Sequence, residues 1–591
     1  MKLKKYFFGM FACAALCACS NDDSDLSNDK PNVFTGDEAY INVRLMDAGN
    51  AMGRVTTGDF EQSTTEHDVK TAHFYFYDKN KTFVAQSDDW NGGNNVTNEN
   101  NKNIEFKSNA IVVLKGLTEK NFPTYMVTVL NQPDNFNPGN TLDAMREILS
   151  EQNGEGIKTV QASGENPTTY FVMSTSSYQH ATPTEEGATT CPYFVTEVTK
   201  SNFAESESTA QSNTPVEVYV ERLAAKVTLS VDDSKFSEKI KTLDNGTKLY
   251  KLNSATIAGE ENAGGGEDIY AELLGWKLNA TAKYSRMMKN INETWIEQTL
   301  GFTWNDANNY RSYWGKSFNY GDNKLTYPTT SENYNANNTS CPLNYYTLEE
   351  NTLVDLGKFA YCAENTNTSE ILKNNLPSAV TSILLKAKAC DKDGKALDLV
   401  RYKGLLYTKV QFFNYVLNTL QNKNQLNVYV GNTTGASQIT ADYLDFKNKF
   451  DGKIEVIVNT EKVNLTETAV EGKTQLYTKE GTQITNLNDL NTTLAAASKD
   501  AIAYKGGLMY YNIPIEHLNE TASEDGSIPE GKYGVVRNHY YKVTINKLEN
   551  IGKGIFEPTE VIVPQEDDKY YYVSANINIL SWKLVNQNVD L

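Results

Sequence analysis

Short stretches of alternating apolar and polar residues recur along the chain, and they constrain its fold more than any other feature. The clearest is PVEVYVERLAAKVTLSV at 215–231, and similar stretches return towards the C-terminal end as YYKVTINKL and YYYVSANINILSW. A period of two predicts half-buried β-strands, and clusters such as NGGNN and NQPDNFNPGN predict turns between them. No repeating βα unit interrupts this pattern. The sequence therefore predicts a mainly β chain with two antiparallel β-sandwich domains in tandem and a few short helices.

Helical spacing and polar stretches divide the chain further. The polar stretch AESESTAQSN ends at Asn213, and we expect the domain boundary after residue 214. A long insertion rich in Asn, Tyr and Trp follows at about 260–360. The spacing of apolar residues predicts short helices at four places: 141–149 with Thr141 or Asn140 as the cap, 407–420, 441–450 and 486–498.

The first residues read as a secretory signal. Three lysines precede an apolar run from Tyr6 to Ala18, which is too short for a permanent membrane helix. The run ends in LCAC at 16–19, which resembles a bacterial lipobox and implies cleavage before Cys19 and lipidation of its thiol. An ordinary signal peptide with incidental cysteines is the alternative. The following SNDDSD resembles the surface-export signal of Bacteroidetes lipoproteins, with a plain solvated linker as the alternative.

Composition narrows the possible functions. The chain has 591 residues, with 74 acidic and 55 basic side chains and a formal charge of −19. This balance argues against nucleic acid as a partner, because phosphate binding needs a basic surface. Apolar residues make up 39% and charged residues 22%, as in globular proteins.

Motifs for catalysis or metal binding are not found in the sequence. The five histidines form no HExxH motif, and there is no nucleophile elbow, P-loop or dinucleotide-binding glycine motif. DKDGKALD at 391–398 has Lys395 where a calcium loop needs a ligand, so a hairpin turn is the better interpretation. We therefore expect no enzyme activity, no metal and no cofactor. Aromatic residues at 301–320 could stack on sugars, although packing in the core or loops is the alternative.

Four cysteines follow Cys19 in the chain. They are widely spaced and form no CxxC pair, which argues against a zinc site. One or two disulfides are allowed in an oxidising compartment, and the sequence does not fix them. These cysteines are Cys191, Cys341, Cys362 and Cys390.

Alternating strands also lie at both ends of the chain. Near the N-terminus, AYINVRLM alternates from Ala39 to Leu45 and leads into the small, polar AGNAMGRVTTG, which contains Arg54. At the C-terminus, a single alternating strand is predicted over 571–579, followed by larger apolar residues. Its apolar positions and those that follow include Val573, Ala575, Ile577, Ile579, Trp582, Leu584 and Leu591. A last strand within the sheet of its own domain is the alternative to a spare strand.

Several blocks of sequence resemble Bacteroidetes fimbrillins, specifically the Mfa-like shaft subunits of minor fimbriae. The blocks, in order, are YVERLAAKVTL (219–229), RSYWGKSFNY (311–320), YCAENT (361–366), YKGGLMYYNIPIEH (504–517), YGVVRNHYYKVTINKLENIGKG (533–554) and ILSWKLVNQNVDL (579–591). The resemblance implies a structural subunit that crosses to the outer membrane as a lipoprotein. It implies that an Arg-specific or trypsin-like protease removes the first strand, and that a strand from a neighbouring subunit fills the groove.

The resemblance assigns roles to parts of this chain. It implies a signal peptide at 1–18, a lipidated propeptide at 19–54 and sandwich domains at 55–214 and 215–591. We expect cleavage between Arg54 and Val55, because small polar residues surround Arg54, whereas Arg44 lies inside the strand. The expected partners are further copies of the chain, an anchor subunit, tip subunits, the protease and a host or bacterial surface ligand. A non-polymerising glycan-binding lipoprotein and an accessory or tip subunit are the alternative functions.

Overall fold

The computed structural model describes most of the chain after residue 37. The described residues are 38–48, 69–87, 104–117, 122–133, 136–151, 158–161, 168–175, 178–179, 193–236, 239–252, 255, 257, 268–290, 315–431, 436–517, 528–565, 574–576, 579–581 and 583–590. Strands dominate these residues, and nearly all of their pairings are antiparallel. The predicted fold class, mainly β with antiparallel sheets and a few short helices, is confirmed.

The N-terminal sheet contains most of the first fourteen strands. Its order is β13-β1-β14-β9-β5-β2-β3, with β4 on β1 and β12 on β5. Alternation produces its core, because Ala39, Ile41 and Val43 of β1 and Val112 and Leu114 of β4 point inward. The bounds are β1 Glu38–Ala48, β2 Ala72–Tyr77, β3 Phe83–Ser87, β4 Ile104–Lys115, β5 Tyr125–Leu130, β6 Leu149–Glu151, β7 Lys158–Gln161, β8 Thr168–Phe171, β9 Met173–Thr175, β10 Tyr178–Gln179, β11 Tyr193–Phe194, β12 Thr196–Glu197, β13 Phe203–Ala204 and β14 Val216–Arg222.

Two further sheets face each other across a second core. One has the order β22-β15-β34-β38-β36, with β37 on β38, and the other has the order β16-β17-β18-β23-β33-β35. Val227, Tyr541 and Val543 of the first meet Trp276, Leu385 and Ile513 of the second. The strands are β15 Ala224–Val231, β16 Ile240–Thr242, β17 Lys248–Lys251, β18 Tyr270–Asn279, β19 Thr281–Ala282, β20 Tyr284–Arg286, β21 Leu343–Asn344, β22 Phe359–Ala363 and β23 Ser382–Cys390, and, after a further set of strands, β33 Leu508–Pro514, β34 His539–Lys547, β35 Lys553–Gly554, β36 Ser574–Asn576, β37 Ile579–Ser581 and β38 Lys583–Asp590.

A third core lies between β23 and β33 along the chain, and we call the part that encloses it the inserted lobe (residues 397–504). Its sheets have the orders β25-β24-β32-β29-β28 and β27-β26-β31-β30. Its two helices bury Phe412, Val416 and Leu494 against Val456 and Leu476. The strands are β24 Leu399–Tyr402, β25 Leu405–Thr408, β26 Val428–Val430, β27 Ser437–Gln438, β28 Leu444–Asn448, β29 Lys453–Val458, β30 Val463–Asn464, β31 Thr474–Thr478 and β32 Ala501–Tyr504.

Helices are short, and side-chain caps begin most of them. The hydroxyl of Thr141 accepts from the Ala144 N–H, as the sequence predicts, and Thr408 and Gln411 form a capping box. The α-helices are α1 Leu142–Glu147, α2 Glu207–Ser212, α3 Ser369–Asn375, α4 Lys409–Asn422 and α5 Asn488–Ala497. The 3-10 helices are Lys200–Asn202, Asp233–Lys235, Ser331–Asn333, Glu350–Thr352, Ala441–Tyr443 and Lys505–Gly507.

One predicted helix is wrong. Residues 441–450 form a single 3-10 turn followed by strand β28, which pairs with β29. Leu444 and Phe446 alternate with polar residues, which is the pattern of a strand. Pairing with the edge of β29 stabilises this strand over a helix.

The chain passes from the first sheet to the second at Leu223. Strand β14 pairs with β1 and β9 in the N-terminal sheet, whereas β15 pairs with β22 and β34 in the second sandwich. The stretch that we expected to begin the second domain at 215 is therefore shared between the two sheets.

Candidate functional site

Strand β1 occupies a slot between β4 and two other strands. It pairs antiparallel with β4 along its whole length, from Glu38 opposite Lys115 to Ala48 opposite Ile104. Because β4 takes one edge entirely, the remaining partners share the other edge. There, Tyr40 and Ile41 pair antiparallel with β13, and residues 43–47 pair in parallel with β14. The slot therefore hydrogen-bonds both edges of β1.

From Glu38 to Arg44, the side chains of β1 follow the predicted alternation. Ala39, Ile41 and Val43 are at most 2% exposed and belong to the N-terminal core. On the other face, the Asn42 amide donates to the Asn213 carbonyl at 3.1 Å, and Arg44 forms an ion pair with Glu217 at 3.2 Å. Burial of an Ile or Val side chain contributes about 1.5–3 kcal/mol, so β1 is an integral part of this sheet.

The residues expected to be modified lie outside the described part of the chain. This applies to Cys19, Arg54 and Val55. Arg44, the other arginine near this segment, lies within β1. Its side chain forms an ion pair with Glu217, and its backbone lies between β4 and β14.

The C-terminal residues form three strands beside β34. Strand β38 runs parallel to β34, from Lys583 opposite His539 to Asp590 opposite Lys547. Both β36 and β37 pair antiparallel with β38. Ala575, Ile579 and Leu584 lie in these three strands, one in each. Val573, Ile577, Trp582 and Leu591 lie outside the described residues.

Strands β36 and β37 lie along β38 in the same antiparallel register, from Ser574 opposite Asp590 to Ser581 opposite Lys583. Both therefore run in the same direction, and the described parts of the strand predicted over 571–579 are extended and lie in line. The chain reverses between Ser581 and Lys583, where β37 is followed by β38. In the monomer, the C-terminal segment thus completes the edge of its own sandwich.

Sequence reasoning missed a buried polar cluster where the N-terminal sheet meets the second sandwich. We call it the junction cluster: Glu221, Arg222, Lys289, Glu364, Arg537 and Asn538, each at most 3% exposed. The Lys289 ammonium lies 3.4 Å from Glu221, and the Arg537 guanidinium lies 3.3 Å from Glu364. Arg222 donates to the Asn538 side chain at 3.1 Å.

The junction cluster joins sequence blocks that are far apart in the chain. Glu221 and Arg222 come from YVERLAAKVTL, Glu364 from YCAENT, and Arg537 and Asn538 from YGVVRNHYY. Nearby, Thr366 exchanges hydrogen bonds with Ser317 of the block at 311–320. Four of the six blocks that carry the resemblance therefore meet at one place, which no single block indicates in the sequence.

Burial governs the electrostatics of the junction cluster. Loss of hydration lowers the pKa of the Lys289 ammonium, while the nearby carboxylates of Glu221 and Glu364 act in the opposite direction. Arg537 also donates to the Met287 and Arg286 carbonyls, at 3.3 and 2.7 Å. A β-carbon added at Gly315 would lie 2.3 Å from a Glu364 oxygen, so this approach requires glycine.

The described cysteines are buried, as are His517 and His539, whereas His73 is half-buried. Cys341, Cys362 and Cys390 are free thiols. The ring of His517 shares a hydrogen bond with the Tyr541 hydroxyl at 2.8 Å. Among the described residues, no three His, Cys, Asp or Glu side chains are grouped to hold a metal ion. None of the helices in this part of the chain has the length and apolar character of a membrane-spanning segment.

Comparison with known families finds a match in the C-terminal region. Residues 502–588 match the family model described as "Major fimbrial subunit protein type IV, Fimbrillin, C-terminal". Over these residues, the match confirms the resemblance to fimbrillins. It spans β32 to β38 and includes Arg537 and Asn538 of the junction cluster as well as the C-terminal strands. No curated protein matches the chain.

Solved structures give weaker likenesses. A fimbrilin from Porphyromonas gingivalis W83 has 12% identity and a TM-score of 0.30, over 93% of this chain and 97% of that one. A candidate cell adhesion protein from Bacteroides eggerthii has 10% identity and a TM-score of 0.31, over 93% and 98%. One from Parabacteroides distasonis has 13% identity and a TM-score of 0.28, over 59% and 74%. At these scores, the fimbrillin relationship rests on the C-terminal match.

Proposed function

We propose that this fimbrillin-like chain is a structural subunit of surface fimbriae that polymerises by donor-strand exchange. The observation that carries the proposal is the way β1 is bound: this N-terminal strand is hydrogen-bonded along both edges and buried on one face. The polar tether and the segment AGNAMGRVTTG, which contains Arg54, flank this strand in the sequence, so one cut at Arg54 separates β1 from the rest of the chain.

Loss of β1 creates a site for another strand. The backbone groups of β4, β13 and β14 lose their partners, and the places of Ala39, Ile41 and Val43 become an apolar slot. A strand supplied by another copy satisfies both needs, which is β-augmentation. Such a head-to-tail contact does not close into a dimer, and its repetition produces a filament.

The C-terminal segment is the proposed donor. Its apolar positions Val573, Ala575, Ile577 and Ile579 have the spacing that the slot accepts. Strand β38 is bordered on one side by β34 and on the other only by β36 and β37. Exchange therefore requires this segment to leave the edge of its own sandwich and extend.

Export and maturation complete the proposal. Lipidation of Cys19 tethers the precursor to the outer membrane, and an Arg-specific or trypsin-like protease cleaves between Arg54 and Val55. The product is a non-enzymatic, adhesive filament that includes an anchor subunit and accessory tip subunits and contacts a host or bacterial surface ligand.

The N-terminus of filament subunits tests this proposal. Mass spectrometry of shed filaments should give subunits that begin at Val55, and the Arg54→Ala variant should keep its lipid and form no filaments. Lys70→Ala is the matched control, because it changes the next basic residue in the sequence, and it should mature normally. Filament subunits that still begin at Cys19 would show that cleavage is not part of assembly.

A further inference from the structure

The inserted lobe is not needed to pair the sheet from which it leaves. Strands β23 and β33, which precede and follow it, are hydrogen-bonded neighbours from Ser382 opposite Pro514 to Lys388 opposite Leu508. The lobe has its own core, and it carries four exposed large apolar side chains: Leu405, Val410, Phe450 and Val470. Because β23 and β33 pair without the lobe, the lobe is available for a function other than completing this sheet.

A cleft of about 490 Å³ opens between the lobe and the chain that follows β35. The buried residues Leu399, Ala503 and Tyr504 form its base. Its walls carry polar and aromatic side chains: Asp398, Lys409, Asp445, Phe446, Lys505 and Phe556. This volume falls in the range of small-molecule sites, roughly 300–1,000 Å³.

Two phenylalanine rings give the cleft an apolar surface. The centroids of Phe446 and Phe556 lie 6.3 Å apart at an interplanar angle of 81°. The Lys409 ammonium lies 5.2 Å from the centroid of Phe446, and that of Lys505 lies 4.8 Å from the centroid of Phe556. Each ring is therefore held beside a cation, which fixes its position.

The charged groups place a donor beside an acceptor. Lys409 pairs with Asp445 at 3.1 Å, and Lys505 pairs with Glu557 at 3.0 Å. Asp398 accepts from the Gly506 N–H at 2.6 Å and keeps further acceptor capacity. The four charged residues that line the cleft balance one another, and Glu557 beside Lys505 adds one net negative charge, which disfavours an anionic ligand.

We propose that this cleft binds a hexose unit of a neutral glycan. A pyranose has an apolar face for the Phe446 and Phe556 rings. Its vicinal hydroxyls donate to a carboxylate and accept from the adjacent ammonium, as the two ion pairs require. The cleft contains no residue of β1 or of the C-terminal strands, so glycan binding and polymerisation can be tested independently.

Ligand-observed NMR on the full chain tests the proposal. The probes are the methyl glycosides of glucose, galactose, mannose and N-acetylglucosamine, with methyl glucuronide as the charged counterpart of methyl glucoside. At least one neutral glycoside should bind with a Kd of about 1 mM. The glucuronide should bind at least about tenfold more weakly than the glucoside because of the net negative charge.

Variants locate the binding. Phe446→Ala and Asp445→Asn should each weaken binding about tenfold or more. Asp445→Asn keeps the shape of the side chain, so it remains informative if Phe446→Ala unfolds the lobe. Phe450→Ala is the matched control, since Phe450 is exposed in the same lobe and does not line the cleft, and it should bind normally. No binding at about 50 mM, binding insensitive to Asp445→Asn, or preference for the glucuronide would each overturn the proposal.

Discussion

Lys289 and Glu221 form a fully buried ion pair in the junction cluster, so replacing one of them also changes the energy of burying the other. Replacing Lys289 alone leaves a carboxylate without its cation, and Lys289→Met should lower the free energy of unfolding by about 3–5 kcal/mol. The double variant Lys289→Met with Glu221→Leu should recover much of this loss, because it removes both desolvated charges. Urea denaturation measures both.

An exposed ion pair provides the control for this prediction. Lys241 and Asp393 lie 3.1 Å apart with side chains 40% and 70% exposed. Lys241→Met should therefore change the free energy of unfolding by less than about 1 kcal/mol. A double variant at the junction that is less stable than Lys289→Met would contradict the pairing described here.

The buried thiols should be unreactive in the folded chain. Burial raises the pKa of Cys362 and of Cys390 to about 12, from a usual value of 9.0. In a chain beginning at Val55 with Cys191→Ser, a thiol reagent should label no cysteine at pH 8 to about 9 and three after unfolding. Labelling of Cys362 in the native protein would contradict its burial.

The same pKa shift gives a pH dependence with a definite sign. In the unfolded chain, Cys362 and Cys390 lose their protons near pH 9, whereas the folded chain keeps them until about pH 12. Their contribution to stability is therefore complete below about pH 9 and is lost as the pH rises towards about 12. Replacing both by alanine should flatten the stability profile in this window, as measured by denaturation at several pH values.

At the scale of elements, β1 should be replaceable by a peptide. A chain beginning at Val55 should bind a peptide of residues 38–48 and gain thermal stability, because the peptide restores the buried face and both ladders. Ile41→Asp with Val43→Asp in the peptide should abolish binding, and Asn42→Ala, on the opposite face, should not. Fluorescence anisotropy measures binding.

The C-terminal peptide is the decisive competitor in this experiment. A peptide of residues 571–591 should displace the peptide of residues 38–48 if the slot accepts the proposed donor. Failure to compete at any concentration would exclude the C-terminal segment as the donor. It would not change the conclusion that β1 fills the slot.

The sequence predicted elements best where one strand has one buried face. Ala39, Ile41 and Val43 alternate and are buried in the predicted manner. Prediction failed where long-range pairing decides, as at 441–450, where β29 turns a predicted helix into a strand. The junction cluster could not be predicted, because Arg222 and Asn538 are 316 residues apart and local patterns carry no information on such contacts.

At the scale of the whole molecule, the C-terminal strands should separate folding from assembly. Deletion of residues 571–591 removes β36, β37 and β38, which lie beyond β34 at the edge of the sheet, and the remaining cores should still form. We expect folded monomers and no filaments by electron microscopy. Deletion of residues 27–36, upstream of β1, is the control and should leave filaments unchanged. Filaments from the chain lacking 571–591 would contradict the assigned donor.

The parallel pairing of β1 with β14 has a consequence for symmetry. A strand that takes the place of β1 and reproduces its hydrogen bonds must run parallel to β14 and antiparallel to β4. Chain direction at the slot is thereby fixed, and in the proposed polymer every subunit would enter with the same orientation. Such a fibre would be polar, with an unfilled slot at one end and an unplaced C-terminus at the other, so its two ends would need chemically different terminators.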